Sequence, residues 1–105
     1  MSAEFYIIFE NIDWYHTNKD RIKNKTMSLD TFIYNNDNEF WLKEEKNQSD
    51  SLCFDVRLFF YDEYILLEIT IHTINIEKSL KELFDWIRLN TAVKIQDEDD
   101  NISNW

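Results

Sequence analysis

The chain is 105 residues long with 44% hydrophobic and 16% aromatic side chains, enough for one domain with its own core and too apolar for a disordered segment. It has no Gly and no Pro, which excludes phosphate-cradling loops, dinucleotide-binding turns and polyproline motifs. A net charge of −10, from 21 acidic and 11 basic side chains, repels nucleic acid and anionic membranes and attracts basic proteins, though acidity also serves solubility alone.

In chain order, residues 4–10 come first. Phe5, Ile7 and Phe9 alternate with Tyr6 and Ile8, a strand apolar on both sides and so expected in a sheet interior with both faces covered. This start has no basic leader region, and no apolar run approaches the roughly 18–20 residues of a membrane span. Cys53 is the single cysteine and cannot form an internal disulfide, so the expectation is a cytoplasmic protein. Residues 11–26 are polar around Trp14, Tyr15, His16 and Ile22, and read as a loop or as a short helix from Asn18. Lys19, Arg21, Lys23 and Lys25 within them are the one basic cluster, read as a solvated face in so acidic a chain.

Residues 29–34 and 39–43 are two short aromatic and β-branched runs around Asn35-Asn36-Asp37-Asn38. Asn and Asp enter left-handed conformations more readily than other non-Gly residues, so a hairpin is expected. After a polar connection at 44–51, residues 52–61 and 64–72 alternate with period two and predict a second hairpin. A reversal spanning Tyr61 to Tyr64 pairs Phe60 with Ile65, Leu58 with Leu67, Val56 with Ile69 and Phe54 with Ile71. On the other face it sets Arg57 against Glu68, Asp55 against Thr70 and Cys53 against His72. A one-residue slip would oppose apolar to polar along the whole ladder.

A helix is expected next, since Ile76, Leu80, Leu83, Phe84 and Ile87 form one stripe at helical spacing. Asn75 is its expected N-cap and Asn90 its stop, with Glu77 and Arg88 suited to the dipole ends and Glu77–Lys81 and Lys78–Glu82 as surface pairs. Trp86 falls off the stripe, as a cover for the helix edge or an anchor for a partner. A last short strand at 92–96 precedes the acidic segment Asp97-Glu98-Asp99-Asp100, flanked by Ile102 and Trp105. The sum is an α+β fold: a single domain, residues 1–105, with an antiparallel sheet of about six strands and one principal C-terminal helix packed on one face.

Signals for chemistry are few. Cys53 and His72 could meet as a nucleophile and base but have no glycine-rich turn or helix N-terminus for an oxyanion. With one carboxylate they also fall short of a closed zinc set. The acidic run 97–100 lacks the alternation and central Gly of an EF-hand. No catalytic residue, cofactor or metal is therefore expected, and recognition of a basic protein is the economical role. The expected contact residues are Asp97, Glu98, Asp99, Asp100, Asp62 and Glu63, with Trp86 or Trp105 as the aromatic anchor.

In size, acidity and overall organisation the chain resembles the immunity proteins of bacterial contact-dependent growth inhibition and related polymorphic toxin systems. Those proteins share no single fold, so no family residue is carried over. The resemblance implies an antitoxin acting by protein–protein interaction, with acidic side chains covering the active site of a cognate toxin domain such as a nuclease. Rival readings are a phage-encoded DNA mimic directed at a restriction or CRISPR effector, a small adaptor or structural subunit, and a small enzyme using Cys53 and His72.

Overall fold

The computed structural model describes residues 2–44 and 54–105. Its elements are β1 (Ala3–Phe9), α1 (Ile12–Met27), β2 (Phe32–Asn36), β3 (Glu39–Leu42), β4 (Val56–Phe60), β5 (Tyr64–Ile69), α2 (Ile74–Asn90) and β6 (Val93–Gln96). The strands form one antiparallel sheet in the order β2-β3-β4-β5-β1-β6. Strands β2 to β5 follow one another as a meander, and β1 closes between β5 and β6. The α+β expectation holds, with α2 lying on the sheet and α1 as a second helix beside it on the same face.

The hairpin β4–β5 carries the register that alternation requires. Val56 pairs with Ile69, Leu58 with Leu67 and Phe60 with Ile65, and all six side chains are buried. On the opposite face the Arg57 guanidinium donates to Glu68 Oε1 from Nε at 2.8 Å and from Nη2 at 2.6 Å. The reversal closes with the Tyr61 N–H donating to the Tyr64 carbonyl at 3.0 Å.

Pairing does not continue to Phe54–Ile71 and Asp55–Thr70. The N–H groups of Thr70 and Ile71 both donate to the Asp55 carbonyl, at 2.8 and 3.1 Å, so the ladder ends at Val56–Ile69, short of both pairs. The Asp55 side chain is buried, 3.8 Å from Lys43 Nζ, and accepts from the Glu44 N–H at 3.0 Å. Phe54 is displaced from the expected core face and packs on Trp41 and Arg57 of the opposite face. Leu52 and Cys53, with most of the 44–51 connection, lie outside the described residues.

The β2–β3 turn uses Asp37 at φ 56°, the left-handed conformation that Asp adopts at lower cost than most non-Gly residues. In α2 the stripe Ile76, Leu80, Leu83, Phe84 and Ile87 is wholly buried. The cap differs from expectation. Thr73 precedes the first helical residue, and its Oγ1 accepts from the Ile76 N–H at 3.3 Å, while the Asn75 N–H donates to Glu44 Oε1. Asn90 is still helical, its side chain donating to the Trp86 carbonyl at 2.8 Å, and the helix ends at an extended Thr91. Glu77 and Lys81 make the expected pair at 3.6 Å, but Glu82 takes Lys25 of α1 at 2.9 Å.

Residues 12–27 form one helix, starting ahead of Asn18, with Asn11 as a cap accepting from the Trp14 N–H at 3.1 Å. Its inward residues are Tyr15, Ile22 and Thr26. The basic cluster lies on the solvated side of the fold and makes surface contacts within the chain. Lys23 donates to Asn38 Oδ1 at 2.7 Å, Lys25 pairs with Glu82, Lys19 lies 5.5 Å over the Tyr15 ring, and Arg21 lies 5.6 Å over Trp86.

Among the described residues the two helices therefore cover one side of the sheet. Ile7 and Phe9 of β1 are buried under the helices, while Tyr6 and Ile8 are half-buried on the other side. The two-sided cover expected for β1 is not seen: among the described residues both helices pack on the Ile7 face, and none on the Tyr6 face. No helix among them is long and apolar enough to cross a membrane.

Candidate functional site

The expected contact residues occupy two ends of the sheet. Asp62 and Glu63 are exposed at the tip of β4–β5, where the His16 Nε2–H donates to the Asp62 carbonyl at 2.8 Å and Lys19 Nζ is 4.0 Å from the Asp62 carboxylate. Asp97 to Asp100 form a tight turn after β6. Asp97 Oδ1 accepts from the N–H groups of Asp99 and Asn101 at 2.9 and 3.0 Å, and Asp100 completes the turn at φ 65°. Glu98 reaches across to β1, its Oε1 accepting from the Glu4 N–H at 3.1 Å.

Since Tyr64 lies level with Ile8, and Gln96 with Tyr6, the two acidic groups are four to five residues apart along the strands, on the order of 15 Å at about 3.3 Å per residue. The fold does not merge them into one patch.

Both tryptophans have internal partners. Trp105 packs edge-on against Phe5 and Phe84, with ring centroids at 6.3 and 5.7 Å, and lies 5.3 Å from the His72 ring. Arg88 donates to its carbonyl. Trp86 packs against the core beneath Arg21. An open groove of about 680 Å³ beside Trp105, with Phe5, His72, Glu77, Lys81 and Asp97 in its wall, mixes charges of both signs. His72 Nε2–H donates to Glu77 Oε1 at 3.2 Å. Cys53, its expected neighbour, is outside the described residues. Among the described residues no three His, Cys, Asp or Glu side chains cluster at metal-binding distance.

The feature that sequence reasoning missed is the sheet face that neither helix among the described residues covers. Starting at β2, Tyr34 packs on Trp41 with centroids at 4.7 Å, and Trp41 on Phe54 at 5.2 Å. Arg57 lies over Phe54 at 4.3 Å and Phe59 at 5.2 Å. Phe59 stacks on Tyr61 at 6.2 Å, Tyr61 packs on Tyr64 at 5.2 Å, and Tyr64 on Tyr6 at 5.7 Å. A continuous aromatic band thus crosses the sheet from β2 to β1. Tyr34 and Tyr61 are its exposed members, and the other rings are half-buried.

The band is not electrically neutral. Arg57, at its middle, is matched by Glu68 at 2.6 Å and Glu39 at 3.9 Å. At the β1 end the Tyr6 phenol is shifted upward, first by desolvation and then by repulsion between its phenolate and Glu4, Tyr64, Glu98 and Asp100. The hydrogen bond from the Glu4 N–H holds the Glu98 carboxylate beside this end of the face. A sequence signal existed: Tyr6 and Ile8 on one side of β1, and Tyr64 and Leu66 on one side of β5, were apolar residues on the faces left without a helix.

Compared with known proteins, the chain matches no protein-family model, no curated protein and no solved structure. The aromatic sheet face offers area for burial and fixed negative charge for orientation.

Proposed function

We propose that the chain is a cytoplasmic immunity protein that binds a cognate bacterial toxin domain, a basic nuclease, and neutralises it by covering the active site with an acidic surface. The observation that supports this is the Glu98–Glu4 contact, which holds the acidic turn beside the aromatic sheet face. Charge that steers a basic partner and rings that anchor it then act on one encounter surface. Occlusion requires no cofactor and no bond-making step. A DNA mimic would need carboxylates spaced like phosphates along one continuous face, whereas Asp62 and Glu63 stand apart from the 97–100 turn, which favours a local patch.

The test begins with the gene immediately upstream. Its C-terminal domain is produced, its nuclease activity measured with and without this protein, and the inhibition titrated against salt. Stoichiometric inhibition, with association slowed by salt, is the expected result. An upstream gene that encodes no secreted protein with such a domain, together with no inhibition, would sink the reading.

A further inference from the structure

The β1 end of the open face combines rings, aliphatic side chains and carboxylates in a small area. Tyr6 lies across from Leu66, and Ile8 across from Tyr64, so four half-buried apolar side chains form one compact group. Glu98 is fixed at its edge through the Glu4 N–H. Asp100 belongs to the same turn, held through the bond of its N–H to the Asp97 carbonyl.

The same face already shows how it holds a guanidinium. Arg57 lies over Phe54 and Phe59 while Glu68 accepts its N–H groups at 2.6 and 2.8 Å. Rings below and carboxylate beside is the arrangement that stabilises a cation at a surface, by cation–π attraction and charge-assisted hydrogen bonding together. The Tyr6–Tyr64 group repeats those ingredients one strand pair away. Arg57 itself is neutralised by its carboxylates and does not repel a second cation. Lys94 lies across from Ile8 and so borders the group at its Ile8 end, which leaves the Tyr6 end, beside Glu4 and Glu98, as the seat for an incoming cation.

From this geometry we infer that the Tyr6–Tyr64 group is the docking point for the toxin domain, which lays an arginine or lysine side chain over these rings with Glu4, Glu98 and Asp100 matching its charge. The inference rests on the proposed capture of a basic domain and makes the open sheet face, not Trp86 or Trp105, the anchor. Those tryptophans are engaged by Arg21 and by Phe5 and Phe84.

The experiment titrates the isotopically labelled full chain with a short arginine-rich peptide, with a glutamate-rich peptide as control, and follows backbone amides by NMR. Perturbations should centre on Tyr6, Ile8, Tyr64 and Leu66. Affinity should fall at least about tenfold in Tyr6→Ser/Tyr64→Ser. A similar loss is expected in Glu4→Gln/Glu98→Gln, which keeps the rings and so guards against a folding defect in the first variant.

Perturbations centred elsewhere, no binding, or unchanged affinity in both variants would overturn the inference. So would a dimer in dilute solution that buries Tyr6. Growth protection against the upstream toxin runs alongside. Equal protection by the wild type and the tyrosine variant removes the docking point and leaves the immunity reading standing. A wild type that neither protects nor inhibits removes that reading, and this inference with it.

Discussion

Glu98 and Glu4, separated by 94 residues, are joined by a hydrogen bond of 3.1 Å from the Glu4 N–H to the Glu98 carboxylate. A carboxylate held by a backbone donor gives up rotational freedom, so the Glu98 side chain is positioned at the edge of β1. Replacing Glu98 with Ala should release the turn, seen as faster amide hydrogen exchange at Glu4 with little change in global stability. Glu98→Gln should retain protection at Glu4, because the amide oxygen still accepts. Both variants should slow association with a basic partner at low salt, since each removes the charge. Equal exchange at Glu4 in wild type and Glu98→Ala would show that the contact does not order the turn.

Asp55 closes the end of the β4–β5 ladder through its carbonyl and, through its buried carboxylate, holds the Glu44 N–H and faces Lys43. Removing a buried carboxylate leaves its partners desolvated, which costs about 3 kcal/mol or more. Asp55→Ala should lower the unfolding free energy measured by urea denaturation by that amount, and Asp55→Asn by less, because its amide oxygen still accepts from Glu44. A loss below about 1 kcal/mol in Asp55→Ala would mean that water replaces the carboxylate freely.

Asp37 and Asp100 take positive φ among the described residues, at 56° and 65°, in a chain without glycine. Left-handed backbone at a residue with a Cβ stores strain of roughly 1 kcal/mol, less for Asp than for Ala. Asp37→Gly is therefore expected to leave stability unchanged or raise it by a few tenths of a kcal/mol, and Asp37→Ala to lower it by about 1 kcal/mol. Thermal unfolding of the two variants reads the difference directly. The opposite order would mean that the Asp side chain, not the backbone, sets this turn.

The legible parts of the fold were those where periodicity and burial agree. The β4–β5 register could be read because matching pairs such as Leu58 with Leu67 admit one alignment, and α2 because its stripe has no polar interruption. Helix α1 was hidden because its inward stripe, Tyr15, Lys19, Ile22 and Thr26, is half polar. Lys19 satisfies that position by laying its ammonium over the Tyr15 ring, a solution invisible to a hydrophobicity pattern. The Thr73 cap lay two residues before the expected Asn75. The acidic residues were visible as a run, but their division between two sheet ends depends on the place of β1 between β5 and β6, a long-range pairing. The aromatic face was hidden for a related reason: apolar residues on both sides of a strand predict two covers, and the fold supplies one.

The last prediction concerns Tyr15, whose hydroxyl is the bolt between α1 and the β4–β5 turn. The ring is fully buried and stacked on Phe9 with centroids at 4.4 Å, and its O–H donates to the Tyr61 carbonyl at 2.6 Å. Burial, and to a lesser extent Asp62, push its phenol well above the ordinary value of 10. A group whose pKa is raised by folding contributes stability that is fully present below its unfolded pKa and is lost as pH rises toward the folded one. Folding stability should thus be insensitive to this group up to about pH 10 and fall above it, as the unfolded chain gives up a proton that the native state retains. Tyr15→Phe keeps the ring and removes the donor, costing about 1 kcal/mol at neutral pH, and it should flatten the alkaline fall, leaving the smaller share contributed by Tyr6. Urea unfolding of both proteins between pH 7 and 12 measures the two slopes. Parallel curves above pH 10 would show that Tyr15 ionises as readily in the native state as in the unfolded one, and that its hydroxyl does not lock the hairpin to the helix.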